Sequence, residues 1–246
     1  MSSKPPKLRG SAKARDSFYP LGEFPDDVVI NIGRYIVHRM AVGHSDLTGD
    51  DFAEIFASAI GGQNLESSLG VTDVVLNDCS WSAKTVKKPN PFTCKKLRLI
   101  SGRNSPDYSY DIENPRADLT LTGEAVLKIW NQRVDQSLNE YSDLRVVVLV
   151  RNMEAREFAL FEYEAGRFTP SNYKWSLSKK GNLVGHDKAT DMHCFTWQFH
   201  GSQFTIHKLV PGSVYKFRII RKPGLIEMEH VLNLIHFQDD WIRRVE

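Results

Sequence analysis

The sequence predicts an α/β fold, with a mixed central sheet flanked by helices and a C-terminal antiparallel β-rich region. Up to about residue 164, the apolar periodicity changes in the order helix, helix, hairpin, strand, helix, strand, strand. Residues 144–150 form a continuous apolar run, which suits a central strand buried on both faces. Beyond residue 165, apolar and polar residues alternate, as in antiparallel strands with one solvent-facing side.

The individual elements follow from periodicity and from stop signals. Apolar residues at helical spacing predict a helix over residues 25–40 and a second from about residue 48 to the glycine pair at 61–62. Residues 71–76 and 81–86, joined by the turn-rich residues 77–80, predict a hairpin. Further strands are predicted at 97–100, 144–150, 158–163, 195–199, 204–207 and 214–220, and further helices at 123–136 and 225–238.

Composition indicates a globular protein that acts in the cytoplasm. The chain has 246 residues, 41% of them hydrophobic and 25% charged, which is enough to bury a substantial core. No window reaches the roughly 18 to 20 apolar residues of a membrane span, and we expect no membrane partner. Residues 1–15 are basic and lack an apolar signal region, which predicts a mobile basic arm. The 3 cysteines fit neither a disulfide framework nor a zinc motif.

Positive charge is concentrated in two segments, although the net charge is only +2. Residues 84–104 contain seven lysines and arginines and no acid, and residues 165–222 contain ten against two aspartates. Basic segments of this kind indicate a polyanion partner, because neutralising phosphates releases counterions and supplies non-specific nucleic-acid affinity. Solvated faces balanced by acids nearby in space are the alternative interpretation.

An aspartate and a lysine stand in the predicted hairpin. Asp73 lies inside the first apolar strand and Lys84 in its partner, where Ser82 shares the face of Lys84 because strand side chains repeat every two residues. A carboxylate that holds Mg²⁺ beside an ammonium group suits phosphodiester hydrolysis. A salt bridge within the sheet is the alternative interpretation of the pair.

Residues 70–85, GVTDVVLNDCSWSAKT, resemble the motif of the PD-(D/E)xK nuclease superfamily. The strong resemblance covers about residues 50–90 and implies a restriction-endonuclease-like core, which we assign to residues 16–164, with a DNA-recognition region at 165–246. It also implies that Asp73 is the metal-binding acid, Lys84 the catalytic lysine, and the carbonyl of Ala83 a further metal ligand.

The sequence departs from the family at Ser82, which stands where the motif carries its second acid. We expect the missing carboxylate to come from elsewhere and prefer Glu54, on the helix before the hairpin. An ordinary solvated glutamate is the alternative at that position. The other candidates are Glu66, Asp78 and Glu124.

Polar and basic residues supply candidate DNA contacts. Phosphate contacts are expected from Arg98 and from Lys179 and Lys180, while a Gly-Arg-containing loop adds Arg103 and Asn104. Base contacts are expected from Gln198, His200 and Gln203 on the β-rich region. A polar solvent face would produce the same alternation.

Taken together, the residues predict a Mg²⁺-dependent type II restriction endonuclease that cleaves double-stranded DNA at a specific sequence. A structure-specific repair or recombination nuclease is one alternative. A non-catalytic DNA-binding protein with a decayed nuclease core is the other, because Ser82 replaces an acid. The oligomeric state stays open, with a homodimer as one candidate.

Overall fold

A computed structural model of the protein describes residues 18–65 and 70–245, which form two β-sheets layered with helices. The predicted basic arm and Glu66 lie outside the described residues. The helices are α1 (Asp26–Ala41), α2 (Gly49–Ile60), α3 (Pro106–Tyr110), α4 (Leu119–Glu140) and α5 (Met228–Leu234). The strands are β1 (Gln63–Asn64), β2 (Val74–Leu76), β3 (Cys79–Lys87), β4 (Lys96–Arg103), β5 (Asp143–Asn152), β6 (Glu157–Glu164), β7 (Tyr173–Leu177), β8 (Leu183–Asp187), β9 (His193–Trp197), β10 (Gln203–Leu209) and β11 (Tyr215–Arg218).

Sheet A is the mixed central sheet that the sequence predicts. Its strand order is β1-β2-β3-β5-β6-β11, in which β3 and β5 are parallel and the other neighbours are antiparallel. Val147 and Leu149 of β5 face one hydrophobic cluster, whereas Val146 and Val148 face another. The prediction of a central strand buried on both faces is therefore confirmed.

Helices α1 and α2 cover one face of sheet A. The boundaries of α2 match the predicted start and stop signals: Thr48 and Asp51 form a reciprocal capping box, and Gly61 adopts the left-handed conformation that ends the helix. Phe52, Phe56 and other apolar residues of α2 are buried against sheet A. This packing holds the N-terminus of α2 beside sheet A.

Sheet B is antiparallel throughout, with the order β4-β10-β9-β8-β7. Its apolar face packs, together with Val126 and Trp130 of α4, against the second face of sheet A. Its other face carries polar and basic side chains that include Lys96, Arg98 and His207. The fold class predicted from the sequence is thus observed.

The two sheets do not divide the chain at residue 164. Strand β4 precedes that residue and belongs to sheet B, whereas β11 follows it and belongs to sheet A. Periodicity identifies a strand but not its partner, because alternation depends on which face is buried rather than on which edge is paired.

The closing helix is shorter than the sequence predicts. Helix α5 spans seven residues rather than 225–238, and it has no buried residue, so apolar spacing is not matched by a packed face. The backbone leaves the helical conformation at His236, where φ is 54°. None of the helices in the described part of the chain is long and apolar enough to cross a membrane.

Candidate active site

Asp73 stands immediately before β2 rather than inside it, because the strand begins at Val74. The pairing with β3 nevertheless reaches Asp73, whose backbone N–H donates to the carbonyl oxygen of Trp81 over 2.8 Å. This bond sets Asp73 opposite the middle of β3. The carboxylate therefore emerges beside the residues that the sequence places in the second half of the motif.

The structure brings Asp73, Ser82, Ala83 and Lys84 together. Three donors reach the same carboxylate oxygen of Asp73, Oδ2: the backbone N–H of Ala83 at 2.8 Å, Nζ of Lys84 at 3.0 Å and Oγ of Ser82 at 3.2 Å. The Asp73 side chain keeps 37% of its surface exposed and the Lys84 side chain 25%. The pair is thus oriented by the backbone and open to solvent at the same time.

Gly70 explains why the segment before Asp73 runs so close to α4. A Cβ at this position would lie 2.2 Å from Oγ of Ser137, which no real side chain could tolerate without movement. The same hydroxyl oxygen accepts a hydrogen bond from the backbone N–H of Val71 at 3.0 Å and lies 2.9 Å from the Thr72 hydroxyl. The glycine three residues before Asp73 is therefore required for packing against the helix that anchors the loop.

Arg133 of α4 ties this loop to sheet B. Its guanidinium donates to the carbonyl oxygens of Gly70 at 3.1 Å and Ser101 at 2.9 Å. Burial lowers the pKa of Arg133, and the negative charge of Asp73 opposes that shift. The sequence does not distinguish Arg133, because a lone arginine inside an amphipathic helix looks like an ordinary surface residue. This half-buried positive charge stands on the wall of the cleft into which Asp73 opens.

The cleft has a volume of about 930 Å³ and lies between α2, β3, β4 and α4. Asp73, Lys84 and Ser82 line one wall, Asp50 at the start of α2 lines another, and Arg98 of β4 lines a third. Asp50 was not among the acids considered from the sequence. The capping box of α2 marks the start of the helix and so places Asp50 in its first turn, but only the packing of α2 on sheet A brings that turn to the cleft.

Glu54 is not brought to Asp73. Its carboxylate forms an ion pair with Arg39 of α1, and its side chain is 61% exposed. Asp50 and Ala53 line the cleft, but Glu54, one residue further, lies on the side of α2 that faces α1. The preference for Glu54 as the replacement acid is therefore corrected: the acid that α2 presents to the cleft is Asp50.

The other candidate acids also lie away from the cleft. Asp78 lies in the turn at the opposite end of the hairpin, where its carboxylate accepts from the backbone N–H of Ser142 at 3.1 Å. Glu124 of α4 is not among the residues that line the cleft. Of the carboxylates in the described part of the chain, the cleft is lined by those of Asp50 and Asp73.

The donor set of the cleft is the kind that Mg²⁺ uses. Mg²⁺ is usually held by one or two carboxylates, with water completing an octahedron of oxygen ligands. Asp73 and Asp50 supply the carboxylates, and Ala83 adds a backbone carbonyl at the same wall. Within residues 18–65 and 70–245, no group of three or more histidine, cysteine, aspartate and glutamate side chains is arranged to hold a metal ion. The residues present therefore fit a hydrated Mg²⁺ rather than an ion enclosed by protein ligands.

Six of the candidate DNA contacts share one end of sheet B. Leu177 pairs with Leu183, Leu183 with Trp197, and Trp197 with Phe204, so the β7–β8 and β9–β10 turns lie side by side. The end of β4 joins them through the pairing of Arg103 with Gln203. We call this surface the turn end of sheet B; it carries Arg103, Lys179, Lys180, Gln198, His200 and Gln203.

The remaining two candidates have different positions. Asn104 is fully buried, and its side chain donates to the carbonyl oxygen of Val126 at 2.9 Å, so its amide is engaged in the interior rather than presented to a ligand. Arg98 lies on β4 and lines the cleft. Arg116, which the sequence analysis missed, joins the turn end: it donates to the carbonyl oxygen of Gly181 at 3.4 Å and lies 4.0 Å from the centre of the Phe199 ring.

The site therefore combines two carboxylates, a lysine bound to one of them, a half-buried arginine and a basic strand around one cleft. These groups come from α2, the hairpin, β4 and α4, which are separated in sequence and joined by the packing of the two sheets. Comparison of the chain with protein-family models, with curated proteins and with solved structures finds no match.

Proposed function

We propose that the protein is a Mg²⁺-dependent endonuclease of the type II restriction class, which cleaves double-stranded DNA at a short specific sequence in the cytoplasm. One observation carries this proposal: Lys84, Ser82 and the Ala83 backbone converge on the Asp73 carboxylate at the wall of a 930 Å³ cleft. If Asp73 and Lys84 formed only a structural salt bridge, neither the cleft beside them nor the second carboxylate, that of Asp50, would be required.

The reaction follows from the charges in the cleft. Hydrolysis forms a bond between a water oxygen and phosphorus and breaks the bond from phosphorus to a sugar oxygen, which leaves with a proton. Bound Mg²⁺ would supply charge neutralisation and an acidified water. Asp73 and Asp50 would hold it, while the Lys84 ammonium orients the attacking water or stabilises the negative charge that develops on the phosphate.

The surroundings of the cleft favour a nucleic-acid substrate. Arg98 lines the cleft, and Lys84, Lys87, Arg133 and Arg151 add further positive charge at its walls. Five cationic side chains around two carboxylates suit a polyanion whose backbone must approach a metal. The turn end of sheet B provides exposed donors and acceptors, which supports sequence recognition over cleavage that depends on DNA structure alone.

The principal competing function is DNA binding without cleavage, and the observation that favours it is the serine at position 82. Incubation of plasmid DNA with Mg²⁺ or with EDTA separates the two functions. We expect a discrete fragment pattern with Mg²⁺ and none with EDTA. Fragments without discrete ends would instead support a structure-specific nuclease, and an intact plasmid would support the binding protein.

Two variants test the assignment of the cleft. Asp73→Asn and Lys84→Ala should each reduce the cleavage rate by about 100-fold or more while retaining DNA binding in Ca²⁺, because they remove catalytic charge rather than the binding surface. Lys88→Ala is the matched control, since it removes one positive charge immediately after the same strand and Lys88 does not line the cleft. Cleavage by Asp73→Asn at the wild-type rate would exclude this site.

A further inference from the structure

A row of nitrogen-bearing side chains crosses sheet B from the wall of the cleft to the far edge of the sheet, with one residue on each strand. Arg98 of β4 pairs with His207 of β10, His193 of β9 pairs with His186 of β8, and His186 pairs with Lys174 of β7. The rings of His207 and His193 lie 4.0 Å apart, which completes the series. We call these five residues the imidazole row. With strands about 4.8 Å apart, the row spans about 19 Å.

The three rings form one cluster, in which the Thr196 hydroxyl connects His193 and His207 by hydrogen bonds. The ring centres of His186 and His193 are 5.1 Å apart. Nε2 of His193 lies 2.8 Å from the carbonyl oxygen of Phe195, which can only accept, so this nitrogen carries a hydrogen. The Thr196 hydroxyl lies 3.0 Å from the same nitrogen and 2.9 Å from Nε2 of His207, to which it can donate. Such a network suits neutral imidazoles.

The surroundings of the rings disfavour their protonation. Burial, then electrostatic interaction with the His193 ring and with the positive charges of Lys96 and Arg98, lowers the pKa of His207 to about 4. The pKa of His193 is also lowered, chiefly by burial and further by the same two cations of β4. Lys96 and Arg98 thus stand beside two rings that are neutral at physiological pH, those of His193 and His207.

Two carboxylates border the far end of the row, and both are already engaged. Asp191 forms an ion pair with Lys174 at 2.7 Å. Asp187 accepts from the backbone N–H groups of Ala189 and Thr190 and from the Thr190 hydroxyl. At the end of the row nearest the cleft, beside His207, Lys96 and Arg98 therefore provide positive charge that can bind an external anion.

We propose that the imidazole row is a second phosphate-binding surface for the DNA backbone and that it takes up protons when DNA binds. The inference rests on the proposed function for its ligand, since Arg98 belongs both to the row and to the cleft wall. A duplex seated in the cleft would bring phosphates to Arg98. The negative charge of those phosphates would stabilise the protonated form of the nearby imidazole rings.

The sign of the effect follows from linkage. In the free protein the His207 ring is neutral above about pH 4. A neighbouring phosphate favours the charged imidazolium and raises the pKa in the complex. Because the bound state then holds more protons than the free state, affinity is highest at low pH and falls as pH rises through the bound-state pKa. Each proton taken up changes the affinity by at most about tenfold per pH unit.

The test measures duplex binding in Ca²⁺ by fluorescence anisotropy at constant ionic strength from about pH 5.5 to about pH 8, the range in which histidine titrates. We expect wild-type affinity to decrease with rising pH and His207→Gln to flatten that decrease. His38→Gln is the matched control, because His38 lies on α1, on the opposite side of sheet A. It should keep the wild-type slope.

Several outcomes decide the matter. Equal pH slopes for wild type and His207→Gln, with cleavage retained, would contradict proton uptake by the imidazole row. The proposed nuclease function would not be affected. Failure of wild type to bind DNA at any pH would overturn both. If His207→Gln does not fold, imidazole NMR of the wild-type protein decides: a pKa of His207 that rises on adding duplex supports the row, and an unchanged pKa contradicts it.

Discussion

The cleft and the turn end of sheet B hold their charges in opposite ways. In the cleft, Asp73 accepts three hydrogen bonds and Arg133 is fixed to two backbone carbonyls. At the turn end, Lys179 and Lys180 are exposed on a tight turn, and no ion pair among the described residues engages them. Groups held by several bonds suit chemistry, which needs fixed geometry, whereas free cations suit phosphate attraction, which does not.

The largest expected effect is on catalysis, from Asp50→Asn. If Asp50 supplies the second carboxylate to the metal, its loss should reduce the cleavage rate by about 100-fold or more, comparable to removal of other preorganised electrostatic groups. Raising the Mg²⁺ concentration should recover part of the rate. The measurement is a plasmid cleavage time course at several Mg²⁺ concentrations.

Glu54→Gln is the matched control for Asp50→Asn, because both residues lie on α2 and only Asp50 lines the cleft. Glu54→Gln should cleave near the wild-type rate and lose only the exposed ion pair with Arg39. A reversed order of severity would show that α2 rearranges when the metal binds.

The next effect is on stability, from Gly70→Ala. The new Cβ would lie 2.2 Å from Oγ of Ser137 and 3.2 Å from the Arg133 carbonyl oxygen, so the loop before Asp73 must move. Overpacking of this kind costs about 1–3 kcal/mol, measurable as a lower free energy of unfolding in urea. Cleavage should fall as well, because the same loop positions Asp73.

Gly166→Ala controls for the change of residue type alone. A Cβ at Gly166 meets no atom within 4 Å, so we expect little loss of stability there. Equal urea midpoints for the two variants would show that the contact between Gly70 and α4 does not constrain the hairpin.

The sequence predicted the proximity of residues within the hairpin better than the assembly of the cleft. Asp73, Ser82 and Lys84 could be identified because local strand pairing alone brings them together. Asp50 and Arg133 reach the cleft through packing of α2 and α4 on sheet A, contacts between residues far apart in sequence that periodicity does not specify. The sequence therefore favoured Glu54, whereas the residue of α2 that lines the cleft is Asp50.

A similar limit applies to the DNA-binding candidates. Alternation identified the strands of sheet B, and their turns place six candidates at one end. It could not show that Asn104 is buried beneath α4, because the polar loop around it looks like an exposed turn in sequence. Arg116 lies in a segment without recognisable periodicity, and only the folded chain brings it to the turn end.

Recognition should show an intermediate effect, from Gln203→Ala. If Gln203 reads a base edge, its loss should lower cognate affinity by about 1–3 kcal/mol and leave affinity for random DNA nearly unchanged. The measurement compares cognate and random duplexes in Ca²⁺. An unchanged ratio would make the pairing of Gln203 with Arg103 purely structural.

The smallest effect is expected from Lys179→Ala and Lys180→Ala. Both lysines are exposed in the β7–β8 turn, where they can approach phosphates without a fixed geometry. Loss of one phosphate contact reduces the slope of log affinity against log salt by about 0.9, which amounts to about threefold in affinity over a fourfold change in salt. Cognate and random duplexes should lose affinity equally, since a lysine contact to phosphate carries no sequence information. The cleavage rate at saturating DNA should stay near wild type, because the turn does not line the cleft. Binding isotherms at two salt concentrations for each variant measure the slope. If both variants keep the wild-type slope of log affinity against log salt, the turn end does not belong to the DNA interface. Arg98 and the rest of the imidazole row would then be the principal phosphate contacts of the protein.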